Sequence, residues 1–314
     1  MNSKHKNFVS CVVYLHNDGE RLISFLNQIN GLLDENFEKY EIICVDDAST
    51  DDSVECLHKY MEISESSRPI SLVNMSYYQG KEASMNAGRD LAVGDYVFEF
   101  DDAVIDYEPY LILEVYQKAL EGNDIVAAAP RNHISFSSKL FYWAYNWGNK
   151  SANKLQHERF RMVSRRAINR IGQMNLYIPY RKAMYVNSGL KMDTIFYDSK
   201  RVDRRDSNKQ ERENRSGLAF DSFIIFTNIL EKISMALCFC FLLVMVVVAC
   251  YVIWSVFSEV KPVEGWMSTI GLIAFGFFGL FLLMTLILKY LSVILNLILK
   301  KQRYVISGID KINK

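Results

Sequence analysis

Two acidic pairs, Asp46-Asp47 and Asp101-Asp102, each follow a short apolar run, Tyr40–Val45 and Tyr96–Phe100. Carboxylates at such places can accept hydrogen bonds from a ribose or base, and their oxygens suit hard cations such as Mg2+ or Mn2+. Near the second pair stand Glu99, two residues before Asp101 and so on the same strand face, and Asp102, Asp106 and Glu108 beyond it. The competing reading of Asp46-Asp47 is a turn with a helix cap from Ser49 or Asp51, and that of Asp18 is a turn residue beside Gly19. His16, His133 and His157 show no metal-ligand spacing, and neither do the six scattered cysteines, which read as structural.

The elements that must hold these residues alternate. Phe8–Leu15, Tyr40–Val45, Ile70–Val73 and Tyr96–Phe100 read as strands, while Glu20–Leu33, Asp52–Met61 and Lys81–Ala92 carry helical spacing. Such repeats predict a mostly parallel sheet covered on both faces. In sheets of this kind ligands gather at the carboxyl ends of the strands, where both acidic pairs fall. That places a nucleotide and its metal at Asp46-Asp47 and Asp101-Asp102.

Composition changes near Lys232. Ile233–Phe257 and Gly265–Leu288 contain no Asp, Glu, Lys or Arg, and the short polar stretch Ser258–Glu264 separates them. Each is long enough to cross a hydrocarbon core, which takes about 20 residues, and a buried helix pair is the alternative. Lys232 before the first span and Lys289, Lys300, Lys301 and Arg303 after the second place both ends in the cytoplasm. The expected layout is a cytoplasmic domain over 1–217, an amphipathic juxtamembrane helix over 218–232, two transmembrane helices over 233–289 and a cytoplasmic tail over 290–314. Lys and Arg together equal Asp and Glu, at 36 each, so overall charge gives no argument for nucleic acid. The aromatic run Phe141–Trp147 reads as core or membrane-interface material.

In order and spacing, several motifs resemble the family 2 glycosyltransferases, and among them the polyprenyl-phosphate sugar transferases of the dolichol-phosphate mannose synthase and bactoprenol glucosyltransferase type. Val12–Asp18 resembles that family's first strand and turn, and Val45–Asp51 its Val-Asp-Asp-Gly-Ser-Thr-Asp. Gly80-Lys81-Glu82-Ala83 resembles its Gly-Lys-Glu-Ala segment, Phe160-Arg161-Met162 its Phe-Arg-Leu, and Arg303-Tyr304-Val305 its tail. The resemblance implies a GT-A-like α/β domain followed by a two-helix membrane hairpin. It implies an inverting transfer of a sugar from a nucleotide-diphosphate donor to a polyprenyl phosphate, with Mg2+ or Mn2+ as cofactor. Asp18, Asp46, Asp47, Gly80 and Lys81 become the nucleotide-binding candidates, Asp101 and Asp102 the metal ligands, and Asp101, Arg131 and Arg161 the catalytic group. Arg131, Arg204, Arg205 and Lys209 become the acceptor-phosphate candidates, with a solvated charged loop as the alternative for the last three. Related enzymes also imply a homo-oligomer.

The pattern breaks in two places. The family's metal motif is Asp-Ala-Asp followed by Gln, but here Ala103 takes the second aspartate's place, Ile105 the glutamine's, and Asp102 the neutral middle position. Arg159 stands where an acid often precedes Phe-Arg-Leu. A metal site rebuilt from Asp101 with Asp102, Asp106 or Glu99, weaker metal dependence, and a degenerate non-catalytic scaffold therefore all remain open, as does a lipid-linked oligosaccharide acceptor.

Overall fold

The computed structural model describes residues 4–63, 70–132, 135–149, 151–173, 180–200, 216–218, 220–221, 224, 227, 229–257, 265–299 and 304–312. The first unit alternates as expected: β1 (Val9–Leu15), α1 (Gly19–Asn36), β2 (Tyr40–Asp46), α2 (Ser53–Ile63), β3 (Ile70–Met75), α3 (Lys81–Leu91) and β4 (Tyr96–Phe100). It continues with α4 (Leu111–Leu120), β5 (Ile125–Pro130), α5 (Phe136–Gly148), β6 (Phe160–Ser164), α6 (Arg165–Gln173), α7 (Arg181–Asn187) and β7 (Met192–Tyr197).

Eight strands form one sheet in the order β7-β5-β6-β4-β1-β2-β3-β8, where β8 is Ile306–Ile312. Strands β1 to β4 pair in parallel, β6 runs antiparallel between β4 and β5, and β8 runs antiparallel along β3. All seven residues of β1 are buried, because helices cover both faces and leave no solvent side for alternation to mark. The strand order reverses between β1 and β4, and the crevice at that switch point opens at the carboxyl ends of β1, β2 and β4.

Helix α3 lies close on β1 and β2. A Cβ on Gly88 would fall 2.4 Å from Val12 Cγ1 and 2.6 Å from Val45 Cγ2, so only glycine permits this approach. The two apolar clusters of the unit lie on either side of the sheet, one built on α1, α2 and α4, the other on α3, α6 and α7.

The segment expected as a tail over 290–314 includes a strand. Residues 306–312 complete the sheet edge at β3, so the first unit comprises Met1–Ser222 together with Lys300–Lys314. The second unit, Phe223–Leu299, contains α8 (Ile229–Phe257) and α9 (Trp266–Leu299), the latter longer than the expected span. Among the described residues no helix is long and apolar enough to cross a membrane.

Gly88→Ala is expected to cost about 1–3 kcal/mol, since the extra methyl must displace two packed valines. Urea unfolding checks this as a lower midpoint at unchanged slope.

Candidate active site

At the carboxyl end of β2, Asp46 and Asp47 both serve the backbone. Asp46 accepts from the Ser49 N–H at 3.2 Å, a local turn of the kind the alternative reading required. Asp47 is fully buried and accepts from the Gln79 and Gly80 N–H groups at 2.8 Å each, with the Tyr14 hydroxyl at 3.1 Å. Burial raises its pKa, and the hydrogen bonds from Gln79, Tyr14 and Gly80 oppose that only in part. Asp47 therefore fixes the turn that sets Gly80, at φ 87°, ahead of α3. Gln79 in turn exchanges two hydrogen bonds with the backbone of Val305, which ties this turn to the chain just before β8.

The turn after β1 is tied to the chain after β2 by side-chain to backbone hydrogen bonds. Asn17, at φ 56°, accepts from the Thr50 and Asp51 N–H groups through Oδ1, and Ser49 and Ser53 hydroxyls accept from the Asn17, Asp18 and Gly19 N–H groups. The Asp18 carboxylate accepts from the His16 N–H at 3.2 Å. Ala48 holds φ 53°, a left-handed backbone that costs a residue with a Cβ about 1–2 kcal/mol and that the resembling motif fills with glycine. Lys81, the first residue of α3, places its ammonium 5.2 Å from the centre of the Tyr14 ring.

The end of β4 is different in kind. Register pairs Glu99 with Arg161 across β4 and β6. Arg161 is fully buried and reaches Glu99 at 2.7 Å, Asp101 at 2.9 Å and Glu158 at 2.7 Å. Arg181, equally buried at the start of α7, reaches Glu99 at 2.7 Å, Asp101 at 2.9 Å and Glu82 at 2.9 Å. Lys182 lies 3.2 Å from Asp101 and donates to the Glu158 carbonyl at 3.0 Å, and the Tyr185 hydroxyl donates to Glu99 at 2.6 Å. Burial by itself would raise the pKa of Asp101, but the charges of Arg161, Lys182, Arg181 and Lys81 hold it well below the usual range. Glu99 follows the same logic: burial raises its pKa, and Arg181, Arg161 and Arg89 bring it down overall.

A second, smaller network lies beside it. Arg159 grips both oxygens of Asp106 and reaches Asp102 Oδ2 at 2.8 Å. The Tyr197 hydroxyl also donates to Asp106, at 2.8 Å. Asp102 Oδ1 is buried without a hydrogen-bond partner. Ala103 is buried, and Ile105 packs against the apolar core.

This donor set does not fit a hard divalent cation, which takes about six or more oxygens. Glu99, Asp101 and Asp106 are committed to arginines, and Asp102 Oδ1 is the one oxygen left over in that group. Among the described residues, no three His, Cys, Asp or Glu side chains are grouped to hold a metal.

The sequence-stated candidates thus divide. Asp101 and Arg161 come together, with Lys81 close enough to act on Asp101 electrostatically. Asp18, Asp46, Asp47 and Gly80 shape the neighbouring turns. The expected catalytic Arg161 has no exposed surface and is held by Glu99, Asp101 and Glu158. Arg131 is largely exposed after β5, 4.0 Å from Asp198. Arg204, Arg205 and Lys209 lie outside the described residues. Arg181, Lys182 and Glu82 are additions; Glu82 lies within the Gly80–Ala83 motif, and for the other two the signal was the adjacent pair Arg181-Lys182. On α5, Phe136, Leu140, Trp143 and Trp147 are all exposed at helical spacing, and the two indoles stack at 6.3 Å.

The mostly parallel sheet, covered on both faces and with its strand order reversing between β1 and β4, is a GT-A-like α/β fold. The chain belongs to glycosyl transferase family 2, whose profile matches residues 10–184. It is 30% identical over 198 residues to an uncharacterized glycosyltransferase of Synechocystis sp., covering 60% of each chain. It is 29% identical over 155 residues to the undecaprenyl-phosphate 4-deoxy-4-formamido-L-arabinose transferase of Aeromonas hydrophila, covering 49% of this chain and 44% of that one. The chain thus spans less than two thirds of the length of either relative. In fold it resembles the mannosyltransferase PcManGT of Pyrobaculum calidifontis, solved with GDP-Man and Mn2+, with TM-score 0.54, 14% identity, and coverage of 95% and 89%.

Glu99→Gln is expected to cost about 3–5 kcal/mol, because it leaves Arg161 and Arg181 buried with one counter-charge fewer. Glu99 and Asp101 have depressed pKa values, so the stability they supply is complete above their unfolded values, near about 4, and is lost as pH falls through the lower folded ones. Urea midpoints measured downward from neutral pH should fall in that acid range for the parent, and less steeply for Glu99→Gln.

Proposed function

We propose that this protein transfers a sugar from a nucleotide-diphosphate donor to a polyprenyl phosphate at the cytoplasmic face of a membrane. The observation that carries the reading is Asp101, held at the carboxyl end of β4 by Arg161, Arg181 and Lys182, in a family 2 domain whose relatives include undecaprenyl-phosphate sugar transferases. An oxygen of the acceptor phosphate attacks the anomeric carbon, a new C–O bond forms with inversion, and the bond to the donor diphosphate breaks. The nucleoside diphosphate leaves with the bonding electrons. Such a nucleophile is already an anion, so no strong general base is required, and positioning with charge neutralisation carries the barrier. That fits Arg159 standing where a carboxylate is otherwise expected. Arg131, exposed beyond β5, is available to an acceptor phosphate.

Membrane attachment rests on the charge-free stretches Ile233–Phe257 and Gly265–Leu288, which fall within α8 and, but for Gly265, α9. Chain connectivity supports an even number of crossings, since the polypeptide leaves the first unit before α8 and rejoins its sheet as β8. The exposed aromatic face of α5 is of the kind that settles at a membrane interface. The alternative, a degenerate scaffold, is favoured by Ala103 and Ile105.

Membranes containing the protein should convert a labelled sugar nucleotide to a chloroform-soluble product only when undecaprenyl or dolichyl phosphate is supplied. Thin-layer chromatography across several sugar nucleotides reads this, and no lipid product with any donor supports the scaffold. Tags at Ser3 and Lys314 are expected to be protected on the cytoplasmic side and a tag at Pro262 to be accessible from outside. Pro262 and Lys314 on one side would remove the hairpin.

A further inference from the structure

We infer that Lys182 and Lys81 neutralise the donor diphosphate in this protein, in place of a bound divalent cation. The inference rests on the reading of the crevice as a nucleotide-diphosphate site. Its basis is how the carboxylates at the end of β4 are occupied. Asp101 Oδ1 is taken by Arg181, and Oδ2 is shared between Arg161 and Lys182. Glu99 is taken by both arginines and Tyr185, and Asp106 by Arg159 and Tyr197. A cation entering here would meet three positive groups on the one aspartate it needs. The two neighbouring positions that would supply further oxygens are the apolar Ala103 and Ile105.

The cations around Asp101 are not equivalent. Arg161 and Arg181 have no exposed surface, and each is spread over three carboxylates. They hold the carboxylate in place and cannot reach a substrate. Lys182 keeps 9% of its side chain exposed, and its 3.2 Å contact is the longest of the ion pairs on Asp101. If Lys182 turns to a phosphate oxygen, Asp101 still has both arginines, so the exchange leaves no buried charge unpaired. Lys81, at the start of α3, sets its ammonium 5.2 Å from the centre of the Tyr14 ring, and its charge helps to lower the Asp101 pKa. A lysine ammonium is a compact point charge with three donors, suited to a diphosphate that must be released after transfer.

The test is calorimetric titration of the whole protein, in detergent, with UDP and with GDP, in EDTA and in saturating Mg2+ or Mn2+. Mn2+ electron paramagnetic resonance of the same mixtures runs in parallel. At least one nucleotide is expected to bind with the same affinity in EDTA as in metal. The free Mn2+ signal should fall no further than nucleotide alone makes it fall. Lys81→Met and Lys182→Met should each weaken binding in EDTA by about tenfold, the worth of one charge-assisted hydrogen bond. Lys81→Met, at a half-exposed position, serves if Lys182→Met does not fold. Binding that needs metal, or Mn2+ immobilised by the protein–nucleotide complex, overturns the inference but leaves the transferase reading intact. Unchanged affinity in a folded lysine variant likewise overturns the role of that lysine. No binding of either nucleotide under any condition overturns both.

Discussion

The crevice depends on the pairing of two fully buried arginines with Glu99 and Asp101. Charges so deep are tolerated only when nearly every oxygen and N–H is matched, because desolvation otherwise outweighs attraction. Here Arg161 uses Nε, Nη1 and Nη2 on three acids, and so does Arg181. The two forks draw β4, β6, α3 and α7 to one point. The antiparallel insertion of β6 makes this possible, since only that register sets Arg161 opposite Glu99. A network of this kind contributes less to net stability than to fixing which groups face the crevice.

The central sheet was legible because parallel strands buried on both faces are written as short apolar runs. Tyr40–Val45 and Tyr96–Phe100 differ from the observed strands by at most one residue. β8 was not legible: Ser307, Asp310 and Lys311 give it a polar edge character, and its partner β3 lies more than 200 residues earlier. The buried network was hidden for a related reason. Arg181 and Glu99 are 82 residues apart, and a charged residue read singly is assigned to solvent. Motif order located Asp101 and Arg161, but motif order does not say that one neutralises the other.

Asp46 and Asp47 show how a single pattern can satisfy two readings. Acidic residues at strand ends were expected either to cap and turn the chain or to meet a ligand, and the carboxylates perform the first task at the place proposed for the second. Asp47 accepts two amides of the Gln79-Gly80 turn, and Gln79 grips Val305. The segment that follows α9 is thereby joined to the turn that presents Lys81. Asp47, itself fully buried, is what holds that turn in place.

The departures from the resembling pattern are electrostatically coupled. Ala103 in place of an aspartate removes one negative charge, and Arg159 in place of an acid adds two units of positive charge relative to it. Asp102 at a normally neutral position returns one negative charge, so the three changes leave the region two units more positive, which is the charge of Mg2+. Two of these residues interact directly: Arg159 bridges Asp102 and Asp106, two of the three acids from which a metal site beside Asp101 could otherwise have been rebuilt. Substituting fixed protein charge for a mobile ion removes the need to bind the ion anew in each cycle. It also restricts the site, because an arginine held by two carboxylates cannot follow a leaving group as a coordinated cation can. Movement near the diphosphate then falls to the less committed side chains, Lys81 and Lys182.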